Sequence, residues 1–492
     1  MRVLFVTPEC YPLIKTGGLA DVAGALSLAL GGLGCEVRVL LPAYPQVLQV
    51  LGKTKTLAQL PRLFGASGRL LSGRTAGGLE VLALDAPQHF ERPGNPYLGP
   101  DGKDWPDNAF RFAALSWAGS QLGLGRLGSW VPDLVHVHDW QAGLTPAYMR
   151  FARGRQPPTV LTIHNIAFQG LFPRNLLAKL RLPNSSFTID GLEYHGKIGF
   201  LKAALQYADL LTTVSPTYAR EIQTSEFGMG LDGLLRHRSD VLHGIVNGID
   251  EAVWDPAEDR DIHAPYSARR IKAKAANKAA LQRRFQLAPD PDAPLFCVIS
   301  RLTHQKGLDL LVEVLPDLVA MGGQLALLGS GDASLEAAYR AAARAHPGRI
   351  GVEIGYDEPL SHQLQAGADA IIIPSRFEPC GLTQLYGLRY GTLPIVARVG
   401  GLADTVIDAN VAALHDGVAT GIQFSPVTAE ALRFALLRAF RIFADPAVLD
   451  RLRRRAMSRS VGWSGPARDY LALYGGLLEE SGVSPKPGEG AS

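Results

Sequence analysis

The chain has 492 residues, which is too long for one hydrophobic core and predicts more than one domain. Its 49 basic and 46 acidic residues nearly balance at a net charge of +3, so no overall field favours binding to nucleic acid or to a membrane. The four cysteines show no paired spacing, which argues against disulfides or a zinc site and predicts a reducing, cytoplasmic location. The N-terminal apolar stretch meets Pro8 and Glu9 too soon for a signal peptide, and no apolar run reaches membrane-spanning length.

The first half of the chain alternates apolar strand-like runs with helical segments. A strand over residues 2–7 precedes a glycine-bearing loop, and a helix is expected over residues 19–30. Residues 50–85 predict short strands and turns in no clear order, and residues 93–107 predict a loop before a helix that begins near Asn108. Further strands are predicted at residues 36–41, 134–138, 160–164, 210–214 and 241–246. This alternation is typical of a parallel sheet covered by helices.

A polar stretch that begins at residue 251 marks the expected boundary between a first domain, residues 1–250, and a second domain, residues 251–462. The basic helix predicted over residues 269–284 carries Lys272, Lys274, Lys278 and Arg283. We interpret it as a solvated face, since no aromatic residues interleave the cations. A second series of strands follows at residues 295–300, 324–328, 351–354, 370–373, 394–397 and 421–424. The two series predict an α/β protein of two Rossmann-like doubly wound domains that face each other across a cleft, with a disordered tail over residues 481–492.

The stretch from Pro374 to Leu385 is the most informative in the second domain. It follows a buried strand, so Glu378 lies in the turn at the carboxyl end of that strand, where open α/β sheets bind ligands. A helix is expected to begin at Leu382 and to direct its free N–H groups to the same place. A carboxylate beside an anion-binding helix end suits a hydroxyl-rich ligand that carries a phosphate, such as a nucleotide sugar. The alternative is a turn between two prolines in which the glutamate is simply solvated.

Three cations lie in loops that follow predicted strands. Arg301 and Lys306 can reach one diphosphate, and no Asp/Glu pair near them could hold Mg²⁺ instead, so fixed cations would stabilise a leaving group. Lys15 precedes two glycines and a helix, where a backbone can approach a ligand closely. Ordinary loops with solvated lysines and arginines remain the alternative for each motif.

Polar and aromatic residues also end two strands of the first domain. His164 follows one strand, and His138, Asp139 and Trp140 end another, as the wall of a sugar-binding site would. The alternative is a structural histidine together with a core hydrogen bond between His138 and Asp139. A serine-hydrolase triad is disfavoured because the chain contains no G-x-S-x-G turn.

Taken together, these motifs resemble those of bacterial glycogen synthases and the related starch synthases. The resemblance extends from Met1 to about Leu478, which is nearly the whole chain. The motifs that carry it are Lys15-Thr16-Gly17-Gly18-Leu19-Ala20-Asp21, Asp107-Asn108 with Arg111-Phe112, His138-Asp139-Trp140, His164-Asn165 with Phe168-Gln169-Gly170, Thr213-Val214-Ser215-Pro216-Thr217-Tyr218, Asn247-Gly248-Ile249-Asp250, Ser300-Arg301-Leu302 with Gln305-Lys306-Gly307, and Pro374 to Leu385.

The resemblance implies the GT-B arrangement, in which a last helix within residues 463–480 crosses back to the first domain. It implies transfer of glucose from ADP-glucose to the non-reducing end of an α-1,4-glucan, such as glycogen, with retention of configuration and without a metal ion or other cofactor. The first domain would then serve the acceptor and catalysis, and the second would bind the nucleotide sugar. Rival interpretations are a UDP-glucose donor, a glucan phosphorylase that carries pyridoxal phosphate, and a glycan-binding protein without turnover.

By similarity to that family, the donor diphosphate would be held by Arg301, Lys306, Lys15, Gly18 and the backbone at Leu382 and Thr383. The donor glucose would be held by Glu378, with Cys380 and Gly381 beside it, and by His164 and Asn247 of the first domain. Tyr356 would lie by the adenine, and the acceptor would be bordered by Asp139, Trp140 and Tyr97. Asp21 is also expected among the substrate-binding residues. The catalytic set is thus Glu378, His164, Lys15, Arg301 and Lys306.

The chain departs from related patterns at two points. Many retaining GT-B enzymes have a second glutamate eight residues after the first, where this chain has Tyr386, as glycogen synthases do. This difference argues against the sucrose-synthase and mannosyltransferase branches. The family's loop commonly has tyrosine before its Asp-Asn pair, whereas this chain has Trp105 and Pro106 before Asp107.

Overall fold

The computed structural model describes residues 1–154 and 156–482, which fall into two compact units. The first unit is Met1–Asn247 together with the chain from Trp463 onward, and the second is Gly248–Gly462. Each unit has its own largely parallel sheet with helices packed against it, which confirms the predicted class of two Rossmann-like α/β domains. Within the described residues, no helix combines the length and the apolar character needed to cross a lipid bilayer.

The first unit is built on a nine-stranded sheet and a small three-stranded sheet. Its strands are β1 (Arg2–Val6), β2 (Glu36–Pro42), β3 (Lys55–Leu63), β4 (Ala66–Arg74), β5 (Glu80–Asp85), β6 (Leu134–His138), β7 (Thr159–Ile163), β8 (Leu171–Pro173), β9 (Glu193–Tyr194), β10 (Lys197–Gly199), β11 (Leu210–Thr213) and β12 (Leu242–Gly244). The large sheet has the order β12-β11-β7-β6-β1-β2-β5-β4-β3, and the small one has β8-β10-β9. The central strands are buried on both faces, as parallel strands covered by helices must be, although β6 contains two histidines and β7 two threonines.

The helices of this unit fill the connections between its strands. Up to residue 247 they are α1 (Gly18–Gly32), α2 (Pro45–Leu51), α3 (Pro87–Phe90), α4 (Asn108–Gly123), α5 (Leu144–Arg150), α6 (Phe200–Tyr207), α7 (Pro216–Glu221) and α8 (Asp232–His237). Short 3₁₀ turns lie at Trp140–Ala142, Arg174–Leu176, Asn184–Ser186 and Ser239–Val241.

Two parts of the first unit differ from the expectation. The short strands of unclear order that we expected in residues 50–85 are instead a long antiparallel hairpin. Its two strands, β3 and β4, have nine residues each and extend the edge of the sheet next to β5. The strand β3 shows no regular alternation of buried and exposed residues, so its period could not be recognised. The strands β8, β9 and β10 are two or three residues long and carry no periodic signal at all.

The second unit has a six-stranded parallel sheet. Its strands are β13 (Leu295–Ile299), β14 (Gln324–Gly329), β15 (Ile350–Ile354), β16 (Ala370–Ile373), β17 (Leu393–Ala397) and β18 (Ile422–Phe424). The strand order β15-β14-β13-β16-β17-β18 is that of a dinucleotide-binding Rossmann sheet. All strands are parallel, and the order in which the chain adds them reverses between β13 and β16, which we call the reversal point. The loops that leave these two strands therefore flank the place where such sheets bind ligands.

The helices of the second unit cover the two faces of this sheet. They are α9 (Lys274–Arg284), α10 (Leu308–Ala320), α11 (Ala333–Ala345), α12 (Glu358–Gly367), α13 (Thr383–Tyr390), α14 (Gly400–Thr405), α15 (Val411–His415), α16 (Ala429–Phe443) and α17 (Pro446–Met457), with 3₁₀ turns at Ala268–Ala273 and His304–Lys306.

The prediction for the basic helix was wrong in two respects. The helix α9 begins only at Lys274, because the preceding residues form a 3₁₀ turn with a non-helical kink at Arg270. Its face is also not fully solvated. The Nζ atom of Lys274 is buried and donates to the backbone oxygens of Gln365 and Ala366 at 2.9 and 2.8 Å and to a threonine hydroxyl at 2.7 Å. Lys278 lies 2.8 Å from Asp369 in an ion pair with little exposure.

The chain ends in α18 (Ser464–Glu480), which packs against α1 within the first unit. Tyr474 on this helix bonds through its hydroxyl group to Nδ1 of His136 on β6, over 2.7 Å. Both residues are fully buried, so this bond ties the last helix to the centre of the first sheet. The predicted disordered tail falls for the most part on residues 483–492, which lie outside the described residues.

Candidate active site

Two loops meet at the reversal point of the second sheet. One follows β13 and contains residues 300–307, and the other follows β16 and contains residues 374–381. The backbone N–H of Arg376 donates to the oxygen of Gln305 at 3.0 Å, and the Gln305 side chain donates to the oxygen of Phe377 at 3.2 Å. Gly307 has φ of +65°, and a Cβ there would lie 1.9 Å from the oxygen of Pro374. The glycine is therefore needed for the two loops to pack this closely.

Glu378 and Lys306 are brought together by these loops. The Nζ atom of Lys306 lies 2.6 Å from Oε2 of Glu378, and the Ser375 hydroxyl donates to the same oxygen at 2.9 Å. The side chains of Lys306 and Glu378 are 17% and 9% exposed, so the pair is largely withdrawn from water. The resemblance assigned the two residues to different parts of a ligand, whereas here they contact each other.

The backbone of Glu378 rests on a glycine pair that the sequence reasoning missed. Gly400 has φ of +42°, and a Cβ there would lie 1.9 Å from the oxygen of Glu378. The N–H of Gly401 donates to the oxygens of Glu378 and Pro379 at 3.2 and 3.1 Å, and its own Cβ would meet Cys380. The available signal was a Gly-Gly pair two residues beyond the strand predicted at residues 394–397, which is β17, the neighbour of β16.

The helix that follows this turn begins one residue later than expected, at Thr383. Cys380 is buried, Gly381 has φ of +74°, and Leu382 and Thr383 are half-buried at the start of α13. The first N–H groups of a helix have no partner within it, so they are available at this turn for an anion.

Two other predicted residues of the second unit are exposed. Arg301 lies in the loop after β13, and its guanidinium makes no hydrogen bond or ion pair among the residues that the structure describes. Tyr356 is 75% exposed, and its hydroxyl donates to Oε2 of Glu358 at 2.9 Å. Both side chains are thus open to a ligand from solvent.

Tyr386, which stands where many related enzymes have a glutamate, has a packing role. It stacks on Trp254 at 3.7 Å between ring centroids, and His362 stacks on the other face of the same indole at 3.7 Å. His362 also lies 2.7 Å from Asp259, and with Asp261 these two form a group of possible metal ligands. None of these three was predicted as a site residue.

In the first unit, β7, β6 and β1 are neighbours, so the loops at their carboxyl ends converge. Asp139 directly follows β6 and His164 directly follows β7. The backbone N–H of His164 donates to Oδ1 of Asp139 at 2.7 Å, and Nε2 of His164 lies 3.0 Å from Nδ1 of His138. The bond between His138 and Asp139 that we considered from the sequence is therefore replaced by two bonds that converge on His164.

A buried carboxylate, Glu9, anchors the glycine loop, and it too escaped the sequence reasoning. It is 2% exposed. Its carboxylate accepts hydrogen bonds from the backbone N–H of Thr16, from the hydroxyl of Thr16 at 2.6 Å, and from the hydroxyl of Tyr97. Burial raises the pKa of Glu9, and these hydrogen bonds oppose the shift. The adjacent Lys15 forms an ion pair with Asp21 at 2.9 Å. Gly18 is exposed at the first turn of α1.

The predicted acceptor residues form a connected aromatic wall. The Tyr97 ring lies 6.0 Å from that of Phe112, which lies 5.0 Å from the ring of Trp140. Trp140 also packs on Phe200 at 6.2 Å and is 8% exposed. Gly170 has φ of +64°, and a Cβ there would lie 2.3 Å from the Trp140 ring, so a glycine is needed to seat the indole.

Burial sets the charges of the groups around His164. It lowers the pKa of His164 and of His136 to about 3, so both imidazoles are neutral near pH 7. It raises the pKa of Asp139 to about 7, against the effect of the backbone N–H groups of His164 and Asn165. Asn247 is 7% exposed, and its buried Oδ1 has no hydrogen-bond partner in the described part of the chain. That oxygen is therefore a buried acceptor without a donor among the described residues.

Two family models match the chain. Residues 2–237 match the starch synthase catalytic domain, and residues 281–442 match the glycosyl transferases of group 1. The two matches fall within the first and the second unit, respectively.

Relatives named glycogen synthase match along almost the whole chain. The protein from Rhodopseudomonas palustris strain BisA53 is 56% identical over 478 residues, which cover 97% of this chain and 98% of the relative. The one from Roseobacter denitrificans is 56% identical over 478 residues, with 97% and 100% covered. Among solved structures, the catalytic domain of starch synthase IV from Arabidopsis thaliana, bound to ADP and acarbose, is similar with a TM-score of 0.86 and 30% identity. The match covers 97% of this chain and 99% of that one.

Proposed function

The chain belongs to the glycogen synthase family of glucosyltransferases, and we propose that its donor is ADP-glucose and its acceptor the non-reducing end of an α-1,4-glucan such as glycogen. The observation that carries the proposal is the contact between Lys306 and Glu378 at the reversal point of the second sheet, beside the start of α13. A cation, a carboxylate and a helix N-terminus in one turn match the diphosphate and the hydroxyl groups of a nucleotide sugar. The related starch synthase that binds ADP and acarbose supports the same choice of donor and acceptor.

We assign the donor to the second unit. Lys306 has three N–H donors and uses one on Glu378, so two remain for a diphosphate. Together with Arg301 and the first turn of α13, it would stabilise the charge that develops on the diphosphate as the glycosidic bond breaks. Fixed cations supply this stabilisation without a metal ion. Glu378, with Cys380 and Gly381 beside it, would orient the glucose, and Tyr356 would contact the adenine.

We assign the acceptor and the remaining catalytic contacts to the first unit. Tyr97 and Trp140, held in place by packing on Phe112, would border the end of a glucan chain, and Asp139 would hold the turn that carries His164. His164 is neutral near pH 7, which suits a hydrogen bond to a sugar hydroxyl and avoids repulsion with the oxocarbenium character of the reacting sugar.

Six further residues complete the proposed substrate contacts. Lys15, Gly18, Asp21 and Asn247 of the first unit would contact the donor, as would the backbone at Leu382 and Thr383 of the second. The buried Oδ1 of Asn247 supports its part in this set, because a sugar hydroxyl would give it a donor. We propose retention of the anomeric configuration for the transfer.

The experiment that tests this function measures incorporation of labelled glucose into glycogen from ADP-glucose and, in parallel, from UDP-glucose. Each assay is run with and without EDTA. We expect strong incorporation from ADP-glucose that EDTA does not change. Preference for UDP-glucose would overturn the donor, and loss of activity in EDTA would overturn the metal-free mechanism.

The rival functions give different results in the same preparation. A glucan phosphorylase would show the visible absorption band of pyridoxal phosphate and would release glucose 1-phosphate from glycogen in phosphate buffer. A glycan-binding protein would retain glycogen without incorporating label from either donor.

A further inference from the structure

His138 is a fully buried residue at the end of β6 whose ring faces His164. Its Nδ1 lies 3.0 Å from Nε2 of His164, whereas its Nε2 is buried and has no hydrogen-bond partner among the described residues. We propose that His138 is a positioning residue that donates from Nδ1–H to His164 and thereby fixes His164 as the tautomer with its proton on Nδ1. The proposal rests on the proposed function in one respect, namely that His164 contacts the donor sugar.

The shared hydrogen bond permits only two arrangements of protons. Burial lowers the pKa of both imidazoles far below neutrality, so each ring carries one proton and one bare nitrogen. In one arrangement His164 donates from Nε2–H, and His138 must then carry its proton on Nε2. In the other, His138 donates from Nδ1–H, and His164 carries its proton on Nδ1.

The unsatisfied Nε2 atom of His138 distinguishes the two arrangements. The first would leave a buried N–H donor without an acceptor, and the second leaves only a bare nitrogen there. Buried N–H groups without partners are the rarer of the two in folded proteins, since an unpaired donor loses its bond to water with nothing in exchange. The second arrangement is therefore favoured.

Neighbouring groups hold the ring of His138 and the backbone of His164. The His136 ring packs at a tilt against that of His138, with 4.3 Å between centroids. Both nitrogens of His136 are hydrogen-bonded, to the hydroxyls of Tyr474 at 2.7 Å and Thr162 at 2.6 Å. At the other end, Oδ1 of Asp139 accepts the backbone N–H of His164 at 2.7 Å. The ring of His138 and the backbone of His164 are thus placed without any contribution from a ligand, and the bond between the two rings orients the His164 side chain.

The consequence for the reaction is the polarity of the remaining His164 nitrogen. The one hydrogen bond of the His164 ring to the described residues is made through Nε2, so Nδ1 with its proton is a donor left for a ligand. A donor at this position binds a sugar hydroxyl through the oxygen, whereas the other tautomer would present a lone pair. His138 would thus determine how His164 binds the sugar without itself touching it.

The test compares His138→Asn with His138→Leu. The amide nitrogen of asparagine occupies the place of the histidine Nδ1 and can still donate, whereas leucine fills the space and cannot. Selective ¹⁵N labelling of histidine, with His164 signals assigned through His164→Asn, reports which ring nitrogen of His164 carries the proton. We expect Nδ1–H in the wild type and in His138→Asn, and a shift to Nε2–H in His138→Leu.

Kinetics provide the second readout. We expect kcat/KM for ADP-glucose to fall about tenfold in His138→Leu, as the loss of one well-oriented hydrogen bond implies, and to stay within threefold of wild type in His138→Asn. A proton on Nε2 of His164 in the wild type, or an unchanged tautomer in His138→Leu, would overturn the proposal. The tautomer is read without substrate, so a wild-type enzyme that failed to use ADP-glucose would refute the proposed function and leave this result intact. If His138→Leu does not fold, the wild type and His138→Asn still decide the tautomer.

Discussion

Nζ of Lys306 and Oε2 of Glu378 lie 2.6 Å apart, although the two residues come from loops after different strands and are 72 positions apart in the chain. The contact sets the orientation of the carboxylate before any ligand arrives, and Ser375 donates to the same oxygen. An ion pair this far withdrawn from water is sensitive to the loss of one partner, because the other is left as an uncompensated charge. The pair therefore links the stability of the turn to its proposed role with the nucleotide sugar.

Glu378→Gln tests this pair directly. Glutamine keeps the shape but leaves Lys306 without its counter-charge, so we expect kcat/KM with ADP-glucose to fall by at least about 100-fold, or roughly 3 kcal/mol in transition-state stabilisation. Steady-state incorporation of labelled glucose measures the loss. The matched control is Glu80→Gln, which removes the carboxylate of a largely exposed ion pair with Arg74 at the hairpin edge of the first sheet and should change activity less than twofold. Near-full activity of Glu378→Gln would show that this carboxylate is not part of the site.

Gly400→Ala tests the backbone support of Glu378. A Cβ at this position would lie 1.9 Å from the oxygen of Glu378, so the turn must shift, and we expect at least a tenfold loss of kcat/KM together with a lower Tm. Gly417→Ala is the control, since Gly417 also has a positive φ, of +66°, but a Cβ there meets nothing within 4 Å. It carries the same kind of backbone strain without the clash, and it should lower Tm slightly while leaving kcat/KM unchanged. Equal loss of activity in both variants would mean that strain, and not contact with Glu378, is responsible.

The strand-end loops of this site could be predicted because each follows a short, wholly apolar run, and the carboxyl ends of such strands share one edge of a sheet. The residues that pack behind those loops could not be predicted. Gly400 and Glu378 meet only after β16 and β17 pair, and the burial of Lys274 depends on oxygens 91 and 92 residues away along the chain. In the sequence, Glu9 is a single carboxylate that follows a strand and has no distinguishing pattern. Its three hydrogen-bond donors belong to Thr16 and to Tyr97, which is 88 residues away. Local patterns carry no information on such partners.

Lys274→Met tests the corrected interpretation of the basic helix. Methionine is close in volume but removes the ammonium donor from the oxygens of Gln365 and Ala366, of which only the Gln365 oxygen keeps a second donor, the Thr392 hydroxyl. We therefore expect the free energy of unfolding to fall by about 2–4 kcal/mol. Urea denaturation followed by circular dichroism measures the change. The control is Lys272→Met, because Lys272 lies two residues earlier and its side chain is exposed. This variant should change the free energy of unfolding by less than about 0.5 kcal/mol. If the two variants proved equally stable, the ammonium group of Lys274 would contribute nothing to the fold.

His136→Asn tests the buried histidines through the pH dependence of stability. Burial lowers the pKa of His136 to about 3 in the folded protein, whereas an unfolded histidine has a pKa near 6.5, so between these values the unfolded state binds the proton and the folded state does not. Stability from neutral His136 is therefore complete above about pH 6.5 and decreases as the pH falls, by about 1.4 kcal/mol per unit. The asparagine variant should be less stable than the wild type at pH 7.5, and the difference should shrink by roughly 2 kcal/mol on going to pH 5. Denaturant titrations at four pH values between these limits give the difference directly. Asp139, whose raised pKa acts in the opposite direction, is present in both proteins, so its contribution cancels in the comparison. A difference that stayed constant with pH would show that the folded protein protonates His136 as readily as the unfolded chain does.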